Sequence, residues 1–213
     1  MVYCETLCCA GVVFADKERL CATCKYGKLN VVLDLDETLV HTVHKSVSYP
    51  IHEPFMKFED FNIYKRPHVD HFLEVVFKRY NVFVWTAAYK SYANEVLAKL
   101  FDADTQKPIC VLTRNDTVKV KLAERCMYTC YPVEVTKIKP LSKLATKCAL
   151  ARTIMIDDTK SCFSRNRSNG LLIKPFDDPE TQSEDCELLN MLDILDILSD
   201  LQDVRNFFHK KLI

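Results

Sequence analysis

The stretch Asn30–Thr42, N-V-V-L-D-L-D-E-T-L-V-H-T, constrains the fold more than any other part of the chain. Val31, Val32 and Leu33 form a short apolar run suited to a strand buried on both faces, and Asp34 follows at once. Carboxylates are seldom buried without a partner. The strand is therefore expected to end at Asp34, at the carboxyl edge of a sheet, where open α/β sheets bind their ligands. Side chains two apart on an extended chain point to the same side, so Asp34 and Asp36 are expected to face one centre. Taken alone, D-x-D is also consistent with a strand that runs into a polar turn, with Asp36 or Thr38 capping the next segment.

The pattern recurs. Asn81–Thr86, N-V-F-V-W-T, is a second apolar run that ends on a hydroxyl and is followed by the small residues Ala87 and Ala88. Arg152–Asp158, R-T-I-M-I-D-D, is a third, ending in adjacent carboxylates. Ile109–Thr113 and Gly170–Lys174 read as further strands. Between them lie helical patterns. Arg66-Pro67-His68-Val69-Asp70 opens one, with Pro67 expected at its first position and Val69, Phe72, Leu73, Val76 and Tyr80 on an apolar face. A second covers about Tyr89–Phe101, with Tyr92, Val96, Leu97 and Leu100 on one face. Glu187–Leu201 and Asp203–Leu212 close the chain as helices. Alternating strands and helices imply an α/β fold with a mainly parallel central sheet. His41–Lys65 interrupts the alternation and ends in the period-two pattern of an antiparallel strand, which marks a small β insertion after the first strand.

D-L-D-E-T-L-V-H resembles the first motif, D-x-D-x-T, of the haloacid dehalogenase superfamily, and in particular the branch that dephosphorylates the C-terminal domain of RNA polymerase II. K-R-P-H-V-D-x-F-L is similar to the same branch, Thr86 to the superfamily's second motif, and Asp157-Asp158 to its fourth. The Asp-Asp pair is closer to the larger polymerase-tail phosphatases than to the small ones, some of which carry Asp-Asn. The resemblance covers about residues 29–212 and is weakest over 117–136. It implies a Rossmannoid three-layer sandwich and phosphomonoester hydrolysis through an aspartyl-phosphate. Asp34 is then the nucleophile and Asp36 the acid/base. Mg²⁺ is held by Asp34, Asp36 through its backbone carbonyl, and Asp158, with Asp157 orienting that shell. Thr86 and Lys139 bind the phosphoryl oxygens. Lys139, in K-P-L-S-K-L, is the candidate charge-neutralising lysine and Lys137 the reserve; Pro140 replaces the family's usual acidic residue. Arg114, at the end of the Ile109–Thr113 strand, is the residue expected to line a phosphopeptide cleft. The implied substrate is phosphoserine or phosphothreonine in a proline-containing peptide, with Tyr89 and the insertion forming a proline pocket.

A hard, oxygen-seeking cation also follows from the residues themselves, because two carboxylate pairs at one sheet edge repel unless a cation sits among them. Only three glycines occur in 213 residues, so phosphate chemistry here must use side chains rather than a glycine-rich loop. Acidic and basic residues balance at 29 each, which gives no support to direct nucleic-acid or membrane-surface binding. Eleven cysteines without a secretory signal read as thiols or metal ligands in a reducing, intracellular compartment, nucleus or cytoplasm. Residues 1–28 are read as a separate cysteine-rich segment and 29–213 as the phosphatase domain, with 41–65 its insertion. C-x-x-C-x-x-G at Cys21, Cys24 and Gly27 has the form of a zinc knuckle, which Cys4 and Cys8 would complete, and which offers a surface for docking a protein partner. The alternative is a cysteine-bearing arm with free thiols. Two other functions fit the same fold: a phosphosugar or nucleotide phosphatase, and a non-catalytic phosphopeptide-binding scaffold.

Overall fold

The computed structural model describes residues 6–7, 13–14, 26–47, 49, 53–121 and 135–209. Two short strands, β1 (Thr6–Leu7) and β2 (Val13–Phe14), pair antiparallel near the amino terminus. The first long apolar run forms β3 (Asn30–Leu33), every residue of which is buried. The insertion follows as β4 (Val40–His44), β5 (Met56–Phe58) and β6 (Phe61–Lys65), an antiparallel sheet in the order β4-β6-β5. Then come α1 (Val69–Arg79), β7 (Asn81–Trp85), α2 (Lys90–Leu100) and β8 (Cys110–Leu112). β9 (Val118–Lys121) and β10 (Val135–Ile138) pair antiparallel. β11 (Thr153–Asp157), β12 (Gly170–Leu172), α3 (Glu187–Ser199) and α4 (Asn206–His209) complete the described chain.

The central sheet has the order β12-β11-β3-β7-β8, and every neighbouring pair is parallel. β3 lies in the middle because its side chains must be covered on both faces. On one face Val31, Leu33, Val82, Val84, Ile154 and Ile156 pack against Phe72, Leu73 and Val76 of α1, Val96 and Leu97 of α2, and Leu188 and Leu195 of α3. On the other, Val32, Phe83, Trp85 and Met155 pack against Leu141, Leu144, Cys148 and Phe163. The period of two in each strand thus divides cleanly between two cores. The second covering layer is built from 3-10 turns at Leu141–Leu144 and Lys160–Phe163 rather than from a long helix. Gly170 makes room for that layer: a β-carbon there would lie 2.3 Å from the Phe163 ring.

Pro67 is not the first helical residue, contrary to the sequence expectation. α1 starts two residues later, and His68 takes a left-handed conformation (φ 63°) that few side chains adopt. The cause is Arg66. Its backbone N–H donates to the Leu39 carbonyl, and its fully buried guanidinium donates to Thr38 O, Lys174 O and both oxygens of Asp185. Arg66 is thereby fixed as a continuation of β6, and the chain turns sharply before the helix can begin. His68 and His71 are both exposed.

Candidate active site

The ends of β3, β7 and β11 lie side by side, so the polar residues that terminate them converge. Asp34 still belongs to the ladder, its N–H donating to Ile156 O at 3.0 Å. Beyond it the chain folds back on itself: Leu39 N–H and Val40 N–H both donate to Leu35 O, and Glu37 takes a positive φ of 58°. Thr38 closes this turn, donating its hydroxyl to Asp34 Oδ2 at 3.4 Å. The loop thus holds Asp34 and Asp36 at the same edge with different surroundings.

Lys139 follows β10 and reaches the edge from the second covering layer, where its N–H donates to Cys162 O. Its ammonium is 2% exposed and donates to Asp34 Oδ1 and, at 2.6 Å, to Asp157 Oδ2. Burial disfavours its charge, but the two carboxylates outweigh burial and raise its pKa, so the lysine stays protonated. Asp157 is held from both sides, its other oxygen accepting Thr159 N–H at 2.8 Å. Of the two candidate lysines, the one that reaches Asp34 is Lys139.

Asp36 has other partners. Tyr92 donates its hydroxyl to Oδ1 at 2.5 Å, and Thr86 donates to Oδ2 at 3.2 Å. With its proton so used, Tyr92 accepts from Thr42 of β4 at 2.6 Å, which ties the insertion to this carboxylate. Burial raises the Asp36 pKa, and the Tyr92 and Thr86 hydrogen bonds only partly oppose it. Asp158 is raised as well, by burial first and then by the charge of Asp157.

Carboxylate oxygens of Asp34, Asp157 and Asp158 all lie within 4.8 Å of one another. Lys139 is the cation bonded to this group among the described residues, so negative charge remains in excess. An all-oxygen donor set with surplus negative charge fits a hard divalent ion such as Mg²⁺. The Asp36 side chain is not part of that cluster.

These groups open into a cleft of about 660 Å³, lined on its polar side by Asp34, Asp36, Lys139, Asp157 and Asp158, and on its apolar side by Phe58, Phe61, Ala87 and Tyr89. Its volume suits a peptide side chain or drug-sized ligand rather than phosphate alone. Thr86 does not line it. Its hydroxyl is fully buried, donates to Asp36 and accepts the N–H of Ala88, so it acts on the carboxylate from behind. Arg114 stands at the rim, its guanidinium 4.6 Å from the centre of the Tyr89 ring. Cys4, Cys8, Cys21 and Cys24 lie outside the described residues. Tyr92 has a role that its place on an apolar helical stripe hid. The available signal was chemical: a tyrosine on a buried face needs a partner for its hydroxyl. Asp185, which no motif of the sequence singles out, pairs with buried Arg66.

Over residues 29–205 the chain matches the family described as NLI interacting factor-like phosphatase. CTD nuclear envelope phosphatase 1 of Xenopus laevis is 32% identical over 195 residues, covering 85% of this chain and 72% of that protein. The probable C-terminal domain small phosphatase of Dictyostelium discoideum is 30% identical over 176 residues, covering 78% of this chain but 49% of that protein. Among solved structures, a variant of the fission yeast RNA polymerase II CTD phosphatase Fcp1 bound to beryllium fluoride shares the fold, with a TM-score of 0.50 at 15% identity over 86% of this chain and 55% of that one. A second Fcp1 structure gives 0.51 at 18% identity, covering 80% and 50%. No helix among the described residues is long and apolar enough to cross a membrane. The chain belongs to the NLI interacting factor-like phosphatase family, and its fold is shared with the two Fcp1 structures.

Proposed function

We propose that the chain is a Mg²⁺-dependent protein phosphatase that acts through an aspartyl-phosphate on phosphoserine or phosphothreonine in proline-containing peptides. The RNA polymerase II C-terminal tail is the model substrate, after the names of its relatives and structural neighbours. The observation that carries the reading is the separation of the two loop carboxylates by environment. Burial raises the pKa of both, but Asp34 has the ammonium of Lys139 bonded to it, which opposes that shift, whereas Asp36 has the hydroxyls of Tyr92 and Thr86. A nucleophile needs a counter-charge beside it and an acid needs a site that keeps its proton, and each of the two carboxyls has the partners for one of these roles.

Asp34 attacks phosphorus, and the bond to the seryl oxygen breaks as Asp36 delivers its proton to that oxygen. Asp36, now a carboxylate, takes a proton from the water that cleaves the acyl phosphate, and Asp34 is restored. Tyr92 and Thr86 hold Asp36 on its line of transfer. Lys139 offsets charge on Asp34 and on the phosphoryl oxygens. Asp34 and Asp158, with the Asp36 carbonyl and Asp157 behind them, would hold Mg²⁺, whose charge lets a carboxylate approach a phosphate dianion. Tyr89, Phe58 and Phe61 supply an apolar wall for a proline next to the phosphoresidue. We place the phosphatase domain at 29–213, inside the cell, in the nucleus or cytoplasm; four relatives are named for the nuclear envelope. Limited proteolysis tests the boundary, and a fluorescent fusion tests the location.

The function is tested by phosphate release from a phosphopeptide panel with and without Mg²⁺, with Asp34→Asn as control. Turnover that needs Mg²⁺ and Asp34 and favours proline-flanked peptides is expected. Equal rates on free phosphosugars, or an active Asp34→Asn protein, overturn it.

A further inference from the structure

The β9–β10 hairpin places Lys119 directly opposite Lys137. Like charges facing each other across an antiparallel pair are unfavourable. Neither lysine forms an ion pair with an acidic residue among the described residues. A third unpaired cation, Arg114, lies on the strand-to-hairpin connection just before β9. Its guanidinium stacks on Tyr89, which lines the catalytic cleft. The hairpin is joined to the site by two ties. Lys139 follows β10 directly, and Thr136 shares a 3.0 Å hydrogen bond with Ser161 in the turn after Asp157-Asp158. Lys119, Lys137 and Arg114 thus form a cluster of cations, reached from the cleft through Tyr89, with no acidic partner among the described residues.

We propose that Lys119, Lys137 and Arg114 bind a second phosphoryl group of the substrate, carried two residues from the phosphoresidue that is hydrolysed. The inference rests on the phosphopeptide reading above and extends it. Lys137 precedes Lys139 by two residues, and two residues of extended chain span about 7 Å. Side chains two apart on an extended substrate share a side and have the same spacing. A phosphoryl group carries about two negative charges at neutral pH, a closer match to three cations than one carboxylate. The three groups also feel one another: burial lowers the Lys137 pKa, and the charges of Arg114 and Lys119 lower it further. A bound dianion would remove that repulsion.

The test uses the full chain with Mg²⁺ and peptides that carry one hydrolysable phosphoserine. The residue two positions before or after it is varied among a non-hydrolysable phosphonate analogue of phosphoserine, glutamate, serine and lysine. In the better of the two positions the phosphonate peptide should have a kcat/KM about tenfold above the serine peptide, with glutamate between them. The preference should shrink as salt rises from 0.05 M to 0.5 M. Lys119→Glu turns the repelling pair into an ion pair, so the hairpin is expected to stay folded, as a thermal melt will show. The variant should lose the phosphonate preference and gain one for lysine. Equal kcat/KM for all four flanks, or a preference that survives Lys119→Glu, overturns the proposal. A chain that hydrolyses neither these peptides nor p-nitrophenyl phosphate fails the phosphatase reading instead. The second site is then decided by fluorescence anisotropy, comparing a labelled double-phosphonate peptide on the wild type and on Lys119→Glu. Equal affinities overturn it, as does competition by a mixed-sequence RNA at the same concentration as the peptide.

Discussion

Lys139→Met removes one buried charge, nearly preserves side-chain volume, and strands Asp34 and Asp157 beside each other. The lysine is 2% exposed, and the two carboxylates are 8% and 1% exposed. Removing one partner from a buried ion pair costs roughly 3–5 kcal/mol, because the remaining charge has no counter-ion. For a domain of this size each kcal/mol moves the melting temperature by about 2–4 °C, so a fall of roughly 6–20 °C is expected at pH 7 without divalent metal. The pH window follows from the sign of the shift. Lys139 has a folded pKa above its unfolded value of 10.5, so its contribution is fully present below pH 10.5 and is lost only as pH rises through the folded value. The deficit of Lys139→Met should therefore be complete at pH 7 to 9. Adding Asp157→Asn should restore part of the loss, with a coupling energy of about 1–3 kcal/mol in a double-mutant cycle. Melts followed by circular dichroism measure all four proteins. A Lys139→Met melting point within about 2 °C of wild type, or a double variant that sums the two single losses, would refute the reasoning.

Other outcomes follow from the same geometry. Tyr92→Phe removes a hydrogen bond to Asp36, of a kind worth about 1.5–3 kcal/mol when one partner is charged. It should lower kcat/KM for a phosphoserine peptide by roughly tenfold or more. For p-nitrophenyl phosphate, whose leaving group needs no proton, the loss should be less than about threefold. Because that hydroxyl lowers the Asp36 pKa, its loss should also move the alkaline limb of the profile to higher pH. Asp158 has a raised pKa from burial and Asp157, so its ionised form is disfavoured until a cation is near. Mg²⁺ at ten times its dissociation constant should then stabilise the fold by about 1.4 kcal/mol at pH 7.5 and by less at pH 5, as read by differential scanning fluorimetry. At Asp185, burial acts to raise the pKa, but the Arg66 hydrogen bonds and charge outweigh it, and the net shift is downward. Its contribution is present above the unfolded value of 3.8 and is lost as pH falls through the folded one. Asp185→Asn should cost about 3–5 kcal/mol in urea melts at pH 7, and the gap to wild type should close below pH 3.8.

The chemistry was legible wherever an apolar run stops on a polar residue. β3, β7 and β11 are read almost to the residue, because a central strand needs an unbroken buried segment and ends where a carboxylate needs a partner, as Lys139 is for Asp34 and Asp157. What stayed hidden depends on contacts distant in sequence. Tyr92 shares its helix face with Val96 and Leu100, and only the fold places Asp36 against its hydroxyl. The start of α1 follows Arg66, whose guanidinium has partners 28 to 119 residues away. Thr86 reads as a phosphate ligand because it ends a strand, yet its proton goes to Asp36. The second covering layer has no helical period to find, because it is made of 3-10 turns. The insertion was visible by its closing alternation, but the pairing of β5 with β6 through a turn at Glu59 was not.

The most direct measurement of the central claim is single-turnover phosphate release from a phosphoserine peptide, with wild-type, Asp34→Asn and Asp36→Asn proteins compared in the presence of Mg²⁺ and the enzyme quenched at intervals. A transient phosphate label is expected on the wild-type chain, no label on Asp34→Asn, and in Asp36→Asn slow labelling with slower release. A label on Asp34→Asn, or phosphate release from it at the wild-type rate, would contradict Asp34 as the nucleophile.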